Sequence, residues 1–359
     1  MERFGRRGVG LVAAATLVLL AGAAGWAYRA YLHALEPPRP GSSEAVVVRI
    51  PQGASTAEIA ELLHRRGLIR HPLAFRLLAR AQGRDGRLKA GVYRLSPGMA
   101  ARAVLDKLAR GEVLTARFTI PEGWTVEQIV DHLVTRGLVE RAAFRAALDR
   151  AAATWPYLPR DREVRAALQE PLEGYLFPDT YRVPVDERGR VADPDQVVRM
   201  MLDRFREVFG PEEQAEAQRQ GLTVHQVVTL ASIVEREARV AEERPLIAAV
   251  YRNRLERGMS LDADPTVLYA LGRTSGPLTA RDLQVASPYN TYRHPGLPPG
   301  PIGSPGRASL EAVLHPADVD YLYFVLSPDG SGRHRFARTL AEHERNVQAY
   351  RQSLEERGG

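Results

Sequence analysis

The chain has 359 residues, 45% of them hydrophobic and 26% charged, a balance that suits a folded protein of two domains and excludes an intrinsically disordered one. It contains no cysteine, which rules out a disulfide framework, a thiol nucleophile and a cysteine-ligated metal. Lys and Arg exceed Asp and Glu by a net charge of +6, but the signs interleave, as in DREVRAALQE and EEQAEAQRQ, so the charge reads as a solvated surface and no nucleic-acid partner is expected.

Arg3, Arg6 and Arg7 precede an uncharged run, Gly8 to Tyr28, long enough to cross a bilayer as a helix. Trp26, Tyr28 and Tyr31 stand at its far end, where amphipathic rings favour the membrane interface. Residues 1–36 are therefore expected to be a retained single-pass anchor in the cytoplasmic (inner) membrane, with the rest of the chain on the periplasmic or extracellular side. AGAAGWA also offers small residues for signal cleavage, and that second reading exports the remainder equally. Residues 37–44, with PPRPGSS, form a linker.

Two segments echo one another. VVVRIPQGASTAEIAELLHRRGLI (Val46 to Ile69) and ARFTIPEGWTVEQIVDHLVTRGLV (Ala116 to Val139) each read as a strand, an I-P-x-G turn and a helix closed by Arg-Gly-Leu, with Ser55 and Thr125 as helix caps. Leu73 to Gln82 reads as a helix, and GVYRLSPGMAARAVLDKLARG as a strand followed by a helix. Residues 45–112 resemble in pattern the LysM-like module of cell-wall proteins, and a sugar-binding and a purely structural role stand side by side. Phe144 to Gln220 is mostly helical and charged, interrupted by LEGYLFPDTYRVP (Leu172 to Pro184), which predicts a rigid extended segment with exposed rings. Glu173, Tyr175, Phe177, Asp179 and Tyr181 either line a carbohydrate cleft or form the inner face of a strand.

TVHQVVTLASIVEREARVA predicts a helix capped by Thr223, with Val224, Val227, Val228, Leu230, Ala231, Ile233, Val234, Ala238 and Ala241 on one broad apolar arc. Glu235 and Glu237 fall at the two edges of that arc and point different ways, so they cannot act as a facing acid and base pair. Apolar neighbours around a carboxyl raise its pKa and keep a proton available near neutrality. The alternative is that each glutamate pairs with an arginine such as Arg239 or Arg244.

ERPLIAAVYRNRLERGM reads as the next helix, LDADPTVLYALG as a turn and short helix, and Ala286 to Gly306 as a long ordered loop of Pro, Gly, Asn and aromatics. A helix at Ser309 to His315, the strand YLYFVLS, a turn at Pro328 to Gly332, a strand around Arg335 and a terminal helix from Ala341 complete an α+β chain, whose residues 113–359 form one mixed α/β domain.

LASIVERE, DADPTVLYALG, SPYNTYRHPGLPPGPIGSPG and LEAVLHPADVDYLYFVL together resemble the endolytic murein transglycosylase (YceG-like) family. The resemblance runs from about Met1 to Arg351. It implies a membrane-anchored lytic transglycosylase that cuts the N-acetylmuramic acid to N-acetylglucosamine bond within peptidoglycan strands and leaves 1,6-anhydromuramyl ends. It also implies a role in terminating nascent strands and an association with peptidoglycan synthases. By the same resemblance Glu235 is the catalytic acid and base. Tyr289, Asn290, Thr291 and Tyr292 are candidates for holding the sugars, with Asp264 and Thr266 shaping the opposite wall and Glu173 in the carbohydrate-facing segment; loop anchoring by Asn290 and turn capping by Asp264 stand beside direct contact as alternatives. One carboxyl suffices because the nucleophile, the muramyl C6 hydroxyl, is already in the substrate. A hydrolase on the same polymer needs a second carboxylate, Glu173 or Asp264, to activate water; a non-catalytic wall-binding scaffold is the third reading. No cofactor and no metal are expected, since His225, His294, His315, His334 and His343 show no H-E-x-x-H spacing.

Overall fold

The computed structural model describes residues 2–358, with side chains described for residues 14–356. It opens with a 33-residue helix, α1 (Glu2–Ala34), along which Leu17, Val18, Leu19, Leu20, Trp26 and Tyr28 are exposed. Among the described residues no helix is long and apolar enough to cross a membrane. Arg3, Arg6, Arg7 and the first six positions of the expected span, residues 8–13, lie outside the described side chains.

The chain divides into two units, residues 1–116 with 183–192, and residues 117–182 with 193–359. The first is built on an antiparallel pair, β1 (Val46–Ile50) against β2 (Gly91–Leu95), in the register Val46 to Leu95 through Ile50 to Gly91. Helices α2 (Thr56–Arg65), α3 (Pro72–Ala81) and α4 (Ala101–Arg110) close over it. Their apolar stripes meet the inward residues of the strands, so that Val48, Ile50, Ile59, Leu63, Phe75, Tyr93, Leu105 and Leu108 form one core. The 183–192 excursion is a small hairpin, bridged at Val185 and Val191, whose Glu187 takes a two-pronged contact from Arg49 on β1 at 2.9 Å per arm.

The sequence echo is a structural one. β3 (Thr115–Thr119) and α5 (Val126–Thr135) reproduce β1 and α2, with the turn glycines Gly53 and Gly123 both at positive φ (77° and 75°), a conformation that suits residues without a Cβ. Ser55 and Glu58 form a capping box at α2, and Thr125 and Gln128 form the matching one at α5.

In the second unit α6 (Arg141–Thr154), α7 (Arg162–Ala166), the start of β4 (Thr180–Pro184), α8 (Pro194–Val208) and α9 (Pro211–Arg219) precede the central helix α10 (Val224–Glu237). Around α10 pack α11 (Arg244–Glu256), α12 (Asp264–Ala270) and α13 (Arg307–Leu314). The antiparallel pair β5 (Tyr323–Leu326) and β6 (His334–Ala337) follows, with α14 (Leu340–Gly358) packed on it. LEGYLFPDTYRVP does not expose its rings: Tyr175, Phe177 and Tyr181 are 0%, 5% and 6% exposed, because this stretch lies inside the unit and its aromatics are core. Tyr175 meets Trp155 and Phe205 edge-on and stacks on His225. His225 lies 2.9 Å from the Tyr175 hydroxyl through Nδ1 and 2.7 Å from the Pro299 carbonyl through Nε2, which fixes the proton on Nε2 and pins the long 286–306 loop to α10.

Candidate active site

Helix α10 starts on a reciprocal cap, with the Thr223 hydroxyl accepting from the Gln226 amide and the Gln226 side chain accepting from the Thr223 amide. Val227, Val228, Leu230, Ala231, Ile233 and Val234 are buried, whereas Val224 and Ala238 are half-buried and Ala241, beyond the end of the helix, is exposed; Thr229 and Ser232 are buried too, so α10 is enclosed on more than the predicted arc. At about 100° per residue the two glutamates at its end lie about 200° apart, and the structure gives them different surroundings.

Glu235 faces the start of α11 and the loop before α13. Arg244 donates to its Oε1 at 3.0 Å, while the Gly306 amide at 3.0 Å and the Ser309 hydroxyl at 2.7 Å donate to its Oε2. Only 7% of the side chain is exposed. The expected setting of small apolar side chains is thus replaced by three convergent donors, the arrangement in which a glutamate pairs with Arg244. Glu122, from the second I-P-x-G turn, lies 4.0 Å from the same guanidinium, and burial together with the Glu235 charge pushes its carboxyl up. The turn is seated by the Gly123 amide on the Ser304 carbonyl at 2.7 Å and the Ser304 amide on the Trp124 carbonyl at 2.8 Å. A side chain at Gly306 would meet the Glu122 carboxyl and make it move aside.

Glu237, the last residue of α10, faces the other way. Its carboxyl accepts from Tyr251 at 3.1 Å, and burial pushes its pKa up to about 7, opposed by the Tyr251 hydrogen bond and reinforced by the charge of Asp264. It lies in the wall shared by two adjoining cavities of about 620 Å³ and 430 Å³, together with Asp264, Phe324 and Val325. The first is lined further by Tyr251, Tyr292 and Tyr323 and closed by α14; the second by Arg236, Arg239, Leu268 and His334. Tyr292 donates to Asp264 at 2.7 Å, so the two sequence candidates that reach a cavity do so as one hydrogen-bonded pair. A carboxyl holding a proton to near neutrality on an open, ring-lined cleft is equipped for general acid and base chemistry.

The remaining sequence candidates are interior groups. Tyr289, Asn290, Thr291 and Thr266 are at most 1% exposed. Asn290 donates to the Leu283 and Val285 carbonyls and accepts from the Tyr292 amide, which anchors the loop. Thr291 accepts from the Ala263 amide and shares a 2.9 Å hydrogen bond with Thr266. Tyr289 packs its ring on Tyr269. Glu173, 1% exposed, accepts from the Val126 amide and the Tyr269 hydroxyl, and burial raises its pKa to about 8. These side chains shape the cleft from behind and do not line it. Sequence reasoning does not single out Tyr251 and names Arg239 only as a partner for a glutamate; the signal for Tyr251 is its place on the helix that follows α10 and packs on it. Among the described residues no group of three or more His, Asp or Glu side chains is placed to hold a metal ion.

A family model described as YceG-like matches residues 48–349. An endolytic murein transglycosylase of Bacillus subtilis is 34% identical over 334 residues, covering 90% of this chain and 89% of that protein. One of Streptococcus pneumoniae is 32% identical over 354 residues, covering 92% of this chain and 63% of the longer relative. The crystal structure of a YceG-like protein of Listeria monocytogenes, 34% identical, superposes with a TM-score of 0.58 over 85% of this chain and 99% of that one. An α+β fold with a carboxyl-bearing cleft at the end of its central helix is the class these features define. The chain belongs to the YceG-like family.

Proposed function

We propose that the protein is a lytic transglycosylase acting on peptidoglycan, with Glu237 as the group that moves the proton. The observation that carries this is the raised Glu237 carboxyl in the wall of two adjoining cavities. The names of its relatives, endolytic murein transglycosylases, supply the substrate class. Below about pH 7 Glu237 holds its proton and donates it to the glycosidic oxygen between N-acetylmuramic acid and N-acetylglucosamine as that bond breaks. The resulting carboxylate takes the proton of the muramyl C6 hydroxyl, whose oxygen closes a 1,6-anhydro ring on C1. No water is consumed, and the acid is regenerated. Proximity of the hydroxyl stands in for a second base.

This reading moves the acid from Glu235, where the family resemblance places it, to Glu237. Both Glu235 oxygens are committed to Arg244, Gly306 and Ser309, and Glu235 lines neither cavity, which supports a role in holding α10, α11 and α13 together. A muramidase is the second reading, favoured by Asp264, a carboxylate in the same wall able to activate water. Mass spectrometry of fragments from purified peptidoglycan separates the two. Anhydromuramyl ends, one water lighter and unchanged by borohydride, support the transglycosylase; reducible ends make it a hydrolase.

The reading extends to anchorage, with α1 and the uncharged run from Gly8 to Tyr28 holding the enzyme in the cytoplasmic membrane and the cleft outside it. The exposed leucines and Trp26 along α1 support this. A protein recovered from membranes with Met1 or Glu2 as its first residue bears it out, whereas a soluble form starting near Ala24 would make the segment a signal peptide. Cutting within strands near synthases would terminate nascent glycan. The unit around β1 and β2, LysM-like in pattern, would add a grip on the polymer.

A further inference from the structure

The two cavities that share Glu237 differ in charge. In the smaller one Arg236 spends its guanidinium on carbonyls, those of Gly123 at 3.4 Å and Thr274, and feels the charges of Glu173 and Glu237 without forming an ion pair with either. Arg239, two residues past Glu237, is exposed, and among the described residues it forms no ion pair. The third basic group, His334, is bound to Glu243 at 2.7 Å. Against these stand only Asp264 and Glu237, and Glu237 is largely protonated below about pH 7. The wall therefore carries uncompensated positive charge. In the larger cavity Arg254 is consumed by Asp262 and by the carbonyls of Leu261 and Leu322, Arg351 on α14 is balanced by Asp264, and the rings of Tyr251, Tyr292, Tyr323 and Phe324 share the lining. Rings suit the apolar faces of a neutral sugar; an unpaired guanidinium such as that of Arg239 suits a carboxylate.

Peptidoglycan has the matching asymmetry. Its N-acetylglucosamine is uncharged, while its muramyl residue bears the lactyl group and the stem peptide, where the carboxylates reside. We propose that the Arg236 and Arg239 cavity is an anion subsite for the carboxylate-bearing lactyl-peptide arm of the muramyl residue, and that the ring-lined cavity takes the N-acetylglucosamine across the scissile bond. This rests on the transglycosylase reading and adds a direction to it: the glycan lies with its muramyl side toward Arg239 and its departing side toward Tyr292. Arg239 then determines affinity for charged strands without entering the chemistry.

The test uses the full chain and two preparations of uncrosslinked strands, both with amines acetylated, one with free carboxylates and one with carboxylates converted to methylamides. The wild type should show a KM roughly 2- to 5-fold higher on the methylamidated strands with kcat unchanged, as expected for loss of a solvent-exposed ion pair. Arg239→Ala should show the higher KM on both, Arg239→Lys should restore most of the difference, and Arg252→Ala, on an exposed face of α11, should behave as wild type. Equal KM values for the wild type on the two strands overturn the subsite while leaving the activity standing. So does a preference that survives Arg239→Ala and is lost in Arg351→Ala, which would reverse the direction of the strand. Absence of anhydromuramyl ends from wild type on charged strands removes the transglycosylase reading, and the subsite with it.

Discussion

The Tyr251 hydroxyl donates to Glu237 at 3.1 Å from a ring that is 1% exposed and held edge-on to Phe324. The bond favours the ionised carboxyl, opposing the burial that raises it. Tyr251→Phe should therefore raise the Glu237 pKa and move the basic limb of the pH dependence of kcat/KM upward by about half to one unit, the equivalent of one hydrogen bond. A limb that stays in place would mean that another group sets it.

Asp264 acts on the same carboxyl with the opposite sign, since its negative charge disfavours a second one nearby. Asp264→Asn keeps an acceptor for Tyr292 but removes the charge, and the basic limb should fall by roughly half a unit. Loss of turnover by more than about 100-fold at every pH would instead place Asp264 in the chemistry, as a water-activating base requires.

The Glu235 and Arg244 side chains, 7% and 14% exposed, form a nearly buried ion pair whose single-partner removal strands a charge. Glu235→Gln should destabilise the fold by about 2–4 kcal/mol at pH 7, measured by urea unfolding, with Gly306 and Ser309 still bonded to the amide oxygen. Glu237→Gln should do the reverse above neutrality. A folded-state pKa of about 7, above the ordinary carboxyl value of 4.5, means that native stability is full below the unfolded pKa and falls as pH rises through 7, a loss the amide avoids.

Glu173 follows the same sign with a wider window. Its pKa of about 8 makes the wild type lose stability as pH rises from about 4.5 to 8, and Glu173→Gln, which mimics the protonated acid toward Val126 and Tyr269, should flatten the fall in melting temperature between pH 5 and 9. Activity below pH 7 should change little. A steep loss of turnover in this variant would return Glu173 to the list of catalytic carboxylates.

Much of this architecture is legible in the sequence because it rests on local rules. The capped helices, the echo around Ser55 and Thr125 and the apolar arc of α10 all follow from spacing and turn chemistry. The divergence of the two glutamates is equally local. Which of them meets a cleft is not, because it depends on residues far along the chain: Arg244, Gly306 and Ser309 close around one, while Tyr251, Asp264 and Phe324 frame the other. The same limit explains the loop candidates. Asn290 and Thr291 are polar residues in a Pro- and Gly-rich stretch, which suits a binding loop, yet their hydrogen bonds turn inward, Thr291 onto Thr266 of α12, because a long buried loop must satisfy its own backbone.

The measurement that bears most directly on Glu237 as the proton-moving group is the yield of 1,6-anhydromuramyl ends from Glu235→Gln and Glu237→Gln at pH 6, on protein verified as folded by circular dichroism. Glu237→Gln should lose at least about 100-fold in kcat while still binding strands, and folded Glu235→Gln should keep turnover within about 10-fold of wild type. Full activity in Glu237→Gln, with loss in a folded Glu235→Gln, would contradict the account and return the proton to Glu235.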